Sequence, residues 1–271
     1  MGRKMSEYNW EVIYRRAYNE DGTLFFPEKL GVDVLEQKKK TLGSYIFANQ
    51  YMNEIIPTDR QTFKQEWFKY YDKVPDRVNT FVFIDPAMSE ADTADNTGVV
   101  VVSVDTKKDW YVRAARRIRV TPTQLVDFCF RVYAQFQPNI IGIEEVAYQK
   151  ALLYFLDEEM RRRNKLLPIQ GVKPPTDRNK QMRILSMVPR FEWNHIFLSK
   201  GLNDLEMELL QFPRGAHDDV IDALAYIEQI AFPPDEENPW AKPPSPSHPD
   251  YERYYLWTLQ NGKQRKGVED E

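Results

Sequence analysis

The chain has 271 residues, of which 29% are charged and 42% hydrophobic, and its formal net charge is −4, a composition typical of a globular protein. No apolar run of about 18 residues is present and no signal-peptide core follows the N-terminus, so the sequence predicts neither a membrane span nor a membrane partner. Because Cys129 is the single cysteine, disulfides and thiolate zinc sites are excluded and an intracellular location is expected. The 3 histidines are too few for a histidine-based metal site, so any metal ion would have oxygen ligands.

Residues 1–75 are rich in aromatic side chains and mostly helical in pattern. Residues 29–53 predict one or two helices, with a break at Leu42-Gly43. The segment shows no strand-rich core, and the chain contains no phosphate-binding loop of the GxxxxGK[ST] type. We therefore expect residues 1–75 to be a helical appendage to the domain that follows.

The next segment, residues 80–85, predicts a strand that is buried on both faces, because residues 81–84 are all large and apolar. The strand ends at Asp85, and Pro86 stops further pairing. A carboxylate at the end of a central strand is costly to bury alone, so it usually contacts a metal ion or a cationic side chain. The alternative is that Asp85 only caps the following loop.

Residues 98–104 and 109–120 predict two further strands, and residues 139–143 a fourth that ends at Glu144-Glu145. On the third strand, arginines share one face, which fits a charged sheet edge as well as a DNA contact. A helix with a capping box at Thr121 and Gln124 precedes the fourth strand. The remaining predicted elements are a helix over 148–164, a strand over 167–172, a basic loop and helix over 173–191, a small strand over 196–198, a helix over 202–210 and a last helix over 217–231.

This order predicts an α/β fold of the ribonuclease-H-like class, with a mixed five-stranded sheet flanked by helices. Short turns make the first three strands an antiparallel meander, and helical crossovers make the fourth and fifth strands parallel to the first. The first and fourth strands would then be neighbours, so Asp85 and Glu144 would emerge at the same end. We expect this domain to cover residues 76–231, and the proline-rich residues 232–271 to form a tail.

A third acidic cluster, Asp218, Asp219 and Asp222, opens the last helix. Carboxylates in a first turn suit the helix dipole, which is the structural alternative. Together with Asp85 and Glu144, however, they could form an oxygen cage for two Mg²⁺ or Mn²⁺ ions about 3.5–4 Å apart, as phosphodiester hydrolysis requires. In this interpretation Asp85, Glu144 and Asp219 are catalytic, and Asp85 bridges the two ions.

Residues 143–146 and 219–225 are similar to the second and third acidic motifs of retroviral-integrase and Holliday-junction-resolvase type nucleases. A larger ordered set resembles the nuclease end of the large terminase subunit of tailed bacteriophages. Its pieces are residues 24–30, 42–51, 84–87, 143–149, 180–183 and 217–219. This resemblance implies that an ATPase domain should precede residue 1, with residues 1–75 as the link to it. The chain would then be a truncated piece or a separately encoded nuclease.

The resemblance also implies a set of site residues. Asp85, Glu144 and Asp219 match the family's metal ligands, with Asp218 and Asp222 as further candidates. Glu144 is favoured over Glu145 because it directly follows its strand, and Glu145 and Asp95 are secondary candidates. DNA-backbone contacts are predicted for four basic residues, for which a solvated helix face is the alternative. These are Lys173, Arg178, Lys180 and Arg183.

The function predicted on this basis is a metal-dependent DNA endonuclease that cuts concatemeric viral DNA during genome packaging in the host cytoplasm. Its expected partners are double-stranded DNA, the ATPase domain, the portal and the small terminase subunit. One alternative is a Holliday-junction-resolvase or transposase-like nuclease of the same fold. Another is a catalytically silent packaging or portal-docking module.

Overall fold

The computed structural model describes residues 15–54, 62–86, 96–145, 149–176 and 179–234. Asp95, Arg178 and residues 235–271 of the predicted tail lie outside these ranges. Within them, no helix combines the length and the apolar character needed to cross a membrane.

The described strands are β1 Lys69–Tyr70, β2 Val78–Asp85, β3 Asn96–Asp105, β4 Trp110–Arg119, β5 Ile140–Glu144, β6 Ile169–Val172 and β7 Ile196–Leu198. The described α-helices are α1 Val32–Tyr51, α2 Pro122–Phe136, α3 Gln149–Arg162, α4 Lys180–Leu185, α5 Val188–Glu192, α6 Asn203–Gln211 and α7 Asp219–Tyr226. Short 3₁₀ turns cover Gln65–Trp67 and Ile227–Gln229.

The strands form one 7-stranded sheet in the order β1-β7-β4-β3-β2-β5-β6. The predicted meander is confirmed, since β3 runs antiparallel to both β2 and β4. The predicted crossovers are also confirmed, since β5 is parallel to β2 and β6 is parallel to β5. The sheet has two strands more than the five predicted: β7 pairs in parallel with Trp110–Val112 of β4, and β1 pairs in parallel with β7. β4 is therefore an inner strand in its first half, and the predicted edge position holds only for the part that carries the arginines.

The sheet is covered on both faces, which explains the continuous apolar run in β2. Phe81 and Phe83 face a core formed with α4, α5, α6 and α7. Val82 and Ile84 face a second core formed with α2 and α3. All four side chains are fully buried, as predicted for a central strand.

The segment before the sheet contributes to the first core as well. Phe63 and Phe68 are buried there and both rings contact Phe191 of α5. α1 breaks at Gly43, as predicted, with φ +73° where the chain passes Pro189. Residues 62–70 thus belong to the sheet and its core, which the sequence pattern did not indicate. The domain boundaries at residues 75 and 231 remain predictions.

The capping box of α2 is confirmed. The Thr121 hydroxyl accepts from the Gln124 N–H, and the Gln124 side chain accepts from the Thr121 N–H. Because α2 leads directly into β5, this cap helps to fix where the crossover begins.

Candidate active site

The ends of β2 and β5 bring Asp85 and Glu144 together. Ile84 and Ile143 are register partners on these parallel strands, so the residues that follow them leave the sheet side by side. Alternation along each strand turns both side chains toward α7, since Phe83 and Ile84 lie in opposite cores. The two carboxyl groups are hydrogen-bonded to each other. The structure therefore contains the carboxylate pair that the sequence placed at one end of the sheet.

The surroundings of Asp85 disfavour its charged form. Burial raises the pKa of its carboxyl group to about 8, helped by the hydrogen bond with Glu144 and by the negative charges of Glu144 and Asp222. Only the nearby Lys180 acts in the opposite direction among the causes of this shift. A carboxyl group in this position favours either a proton or a bound cation.

Glu145 lies on the other face of the sheet. Its N–H donates to the Val172 carbonyl at 2.7 Å, which continues the pairing with β6. A Cβ on Gly171 would lie 3.1 Å from its carboxylate. Gly171 is the register partner of Ile143, which faces the α2 and α3 core. Of the two adjacent glutamates, Glu144 is the one beside Asp85.

The third acidic cluster lies close to this pair because α7 begins over β3. Asp218 is the N-cap residue, Asp219 the first residue of the helix, and Asp222 lies in its first turn. The Asp219 carbonyl packs directly on Gly98, at a distance that no side chain would permit. Gly98 is in turn the register partner of Asp85. The start of α7 is therefore held one strand away from the carboxylate pair.

We expect Gly98→Ala to impair the site through this contact. A Cβ at position 98 would collide with backbone atoms of Asp219, so α7 would have to shift outward, at a cost of about 1–3 kcal/mol in stability. A lower melting temperature in thermal unfolding would report the shift. Gly31→Ala is the matched control, because a Cβ there meets only one atom, at 3.8 Å. A Gly98→Ala variant with the stability of the wild type would contradict this account of the helix position.

Asp222, which the sequence offered as a further metal ligand, is bound by an arginine in the structure. Both of its carboxylate oxygens accept hydrogen bonds from Arg183, each at 2.8 Å. Asp222 is 3% exposed and Arg183 is 8% exposed. The DNA contact predicted for Arg183 is therefore corrected: its guanidinium is buried between α4 and α7, and it holds these helices together.

Lys180 lies inside the acidic cluster. Its Nζ is 2.7 Å from Asp218 Oδ1 and 3.5 Å from Asp222 Oδ2. Burial acts against the charged form, but the contact with Asp218 and the charges of Asp222 and Asp85 outweigh it and raise the pKa of Lys180. Lys173, the remaining described DNA candidate, is an exposed residue directly after β6. Of the three predicted DNA residues that the structure describes, Lys173 and Lys180 thus keep accessible side-chain surface.

Two residues of the site were missed from the sequence. Tyr226, at the end of α7, donates its phenol hydrogen bond to Glu144 Oε1. Burial and this contact with Glu144 raise the pKa of the phenol, so it stays protonated as a donor. In the sequence, Tyr226 continues the apolar stripe of α7, and such a position is typical of a core residue.

Glu208 of α6 is the second missed residue. Its Oε2 accepts the N–H groups of Val220 at 2.8 Å and Ile221 at 2.9 Å, and the side chain is 3% exposed. It thereby caps the start of α7 from another helix, a role that Asp218 does not take with its own side chain. Burial raises the pKa of Glu208 to about 7, against the effect of these two hydrogen bonds and of Arg117. No local sequence pattern signals a cap donated from another element.

The donor set fits a hard divalent cation. Within the described ranges, no three Asp, Glu, His or Cys side chains stand together in a metal-binding arrangement. Asp85 and Glu144 do stand together, and their oxygens are of the kind that Mg²⁺ and Mn²⁺ prefer. Burial and the neighbouring carboxylates raise the pKa of Asp85, so a cation bound at this point would be favourable. The pair would supply two ligands. Asp218 and Asp219, at the start of α7 over β3, are further candidates.

Comparison with known proteins identifies relatives by fold. No family model matches the sequence, and no curated protein matches it. The large terminase of a thermophilic bacteriophage covers 74% of this chain with 51% of its own, at a TM-score of 0.55 and 10% identity. The complex of the same terminase with ADP covers 74% of this chain with 52% of its own, at a TM-score of 0.52 and 8% identity. The yeast mitochondrial Holliday junction resolvase covers 71% of this chain with 89% of its own, at a TM-score of 0.36 and 13% identity.

This chain thus spans about half the length of the terminase chain that it resembles. At these identities the likeness concerns the fold alone. The predicted ribonuclease-H-like class and the predicted resemblance to the large terminase subunit are confirmed at that level.

Proposed function

We propose that this chain is a metal-dependent DNA endonuclease that cleaves concatemeric viral DNA during genome packaging. The observation that carries the proposal is the half-buried Asp85–Glu144 carboxyl pair, placed at the ends of two parallel strands and facing the first turn of α7. Two carboxyl groups in contact destabilise each other when charged, so a purely structural role would not account for them. A divalent cation would remove this cost.

The roles of the residues follow from their positions. Asp85, Glu144 and Asp219 would hold Mg²⁺ or Mn²⁺, which when bound lowers the pKa of an attacking water and stabilises the leaving oxygen. Asp85 lies on β2, between Glu144 on β5 and the start of α7 over β3. It is therefore the residue proposed as a ligand shared by two ions. Asp218 is a further candidate ligand, paired with Lys180.

DNA is the proposed substrate, and Lys173 and Lys180 are its proposed backbone contacts. Lys180 lies next to the carboxylate cluster, where it could meet a phosphate close to the scissile bond. With a net charge of −4, the chain should hold DNA weakly by itself. An ATPase domain, the portal and the small terminase subunit are proposed as partners in the host cytoplasm.

A plasmid assay tests the proposal. Supercoiled plasmid should be nicked and then linearised with Mg²⁺ or Mn²⁺ and stay intact with EDTA, with little preference for sequence. Glu144→Gln should abolish cleavage, whereas Glu145→Gln, its neighbour on the opposite face, should keep most of it. Absence of metal-dependent cleavage would favour a silent packaging module instead. Selective cutting of four-way junctions would favour a resolvase.

A further inference from the structure

A chain of contacts runs behind the carboxylate pair, from Asp222 through Arg183 and Tyr226 to Glu144. Arg183 binds both oxygens of Asp222, and its Cζ lies 4.0 Å from the centroid of the Tyr226 ring. The Tyr226 ring also stacks on Phe83, with a centroid distance of 4.4 Å and an interplanar angle of 6°. Two groups this close cannot share one face of the ring, so Phe83 and Arg183 enclose it from both sides.

The phenol at the end of this series of contacts directs its hydrogen bond at Glu144. Tyr226 is fully buried, and its hydroxyl donates to Glu144 Oε1. Phe83 lies two residues before Asp85 on β2, so the residue beneath the ring and the neighbour of Glu144 belong to the same strand. The ring is fixed by packing, and the hydroxyl therefore fixes one oxygen of Glu144 relative to Asp85.

We infer that Tyr226, held by Arg183 and Phe83, is a positioning residue that orients Glu144 for metal binding. A free glutamate side chain can adopt many rotamers, and selecting one of them costs conformational entropy. The hydrogen bond restricts Glu144 before the ion arrives and occupies only one of its two oxygens. Residues that orient a ligand in this way typically change metal affinity by about 10–100-fold when they are replaced.

Tyr226→Phe isolates this role, because phenylalanine keeps the ring between Phe83 and Arg183 and removes only the hydroxyl. The inference rests on the proposed function, so the first measurement uses metal-free protein. A double-mutant cycle of Tyr226→Phe and Glu144→Gln, followed by urea unfolding with EDTA, should show energetic coupling between the two positions. Additive effects in this cycle would overturn the inference.

The second measurement is Mn²⁺ binding by titration calorimetry. Tyr226→Phe should weaken Mn²⁺ binding by about 10–100-fold. The Mn²⁺ concentration that half-saturates plasmid cleavage should rise by the same factor. Tyr111→Phe is the matched control, since Tyr111 also directs its hydroxyl at a carboxylate, Asp105 at 3.4 Å, outside the site. It should leave Mn²⁺ binding unchanged.

The outcomes separate this inference from the proposed function. If the wild type binds Mn²⁺ and Tyr226→Phe binds it within about twofold, the positioning role is overturned and the nuclease proposal stands. If the wild type binds no Mn²⁺, the nuclease proposal falls and the inference falls with it. Weaker binding by Tyr226→Phe, with unchanged binding by Tyr111→Phe, supports the inference.

Discussion

Asp85→Asn is expected to abolish DNA cleavage and, in the absence of metal, to stabilise the fold. Asparagine has nearly the same shape, can hydrogen-bond with Glu144 and carries no charge. In the wild type, burial and the neighbouring Glu144 raise the pKa of Asp85 to about 8. The charged form is thus unfavourable in the folded protein. Asp85 is stable there either as the protonated acid or as a carboxylate beside a bound cation.

The sign of the pH dependence follows from linkage. The folded protein binds a proton at Asp85 up to about pH 8, whereas the unfolded chain releases it near pH 4. The stabilisation from this group is therefore fully present at low pH and is lost as the pH rises through about 8. Removing the charge should raise the free energy of unfolding at alkaline pH by a few kcal/mol, or the melting temperature by about 5–10 °C.

Differential scanning fluorimetry with EDTA, at about pH 5.5 and pH 8.5, measures this effect. The melting temperature of the wild type should fall more between these pH values than that of Asp85→Asn. Asp76→Asn is a suitable control, since Asp76 is exposed and pairs only with Lys73 among its described contacts. An Asp85→Asn protein that is less stable than the wild type at pH 8.5, or that keeps more than a few per cent of its cleavage, would remove Asp85 from the site.

The positions of Asp85 and Glu144 could be predicted because each follows a strand with a clear apolar pattern. Once β2 and β5 are parallel neighbours, their ends must meet, and alternation alone separates Glu144 from Glu145. The edge strand β1 spans 2 residues and its neighbour β7 spans 3. β1 is too short for any periodicity to identify it. Local pattern therefore located the centre of the sheet and missed one of its edges.

The role of Arg183 could not be predicted in the same way. Lys180 and Arg183 lie three residues apart on α4, and this spacing indicates a basic helix face that DNA could contact. Whether such a face is buried depends on what packs against it, here Asp222 at a distance of 39 residues along the chain. Tyr226 was missed for the converse reason: a tyrosine in an apolar stripe indicates the core, and only the tertiary structure shows that its hydroxyl contacts Glu144.

Arg183→Met should be among the most destabilising single changes in the described part of the chain. It leaves the Asp222 carboxylate buried without its two charge-assisted hydrogen bonds, a situation that costs about 3–5 kcal/mol in comparable buried pairs. Lys180 Nζ, 3.5 Å from Asp222, offsets part of this cost. We expect a loss near the lower limit, which corresponds to a fall of about 10 °C in melting temperature.

A double variant shows whether the cost comes from the unpaired charge. Arg183→Met combined with Asp222→Leu removes both ions and fills a similar volume, so it should recover most of the stability that Arg183→Met loses. Arg161→Met is the control, because its pair with Asp157 is exposed at 72% and 50% of the two side chains and should contribute no more than about 1 kcal/mol. Urea unfolding of the four proteins measures these differences. If the double variant were as unstable as Arg183→Met, the loss would come from the contact of Arg183 with Tyr226, and the ion pair would not be what holds α4 against α7.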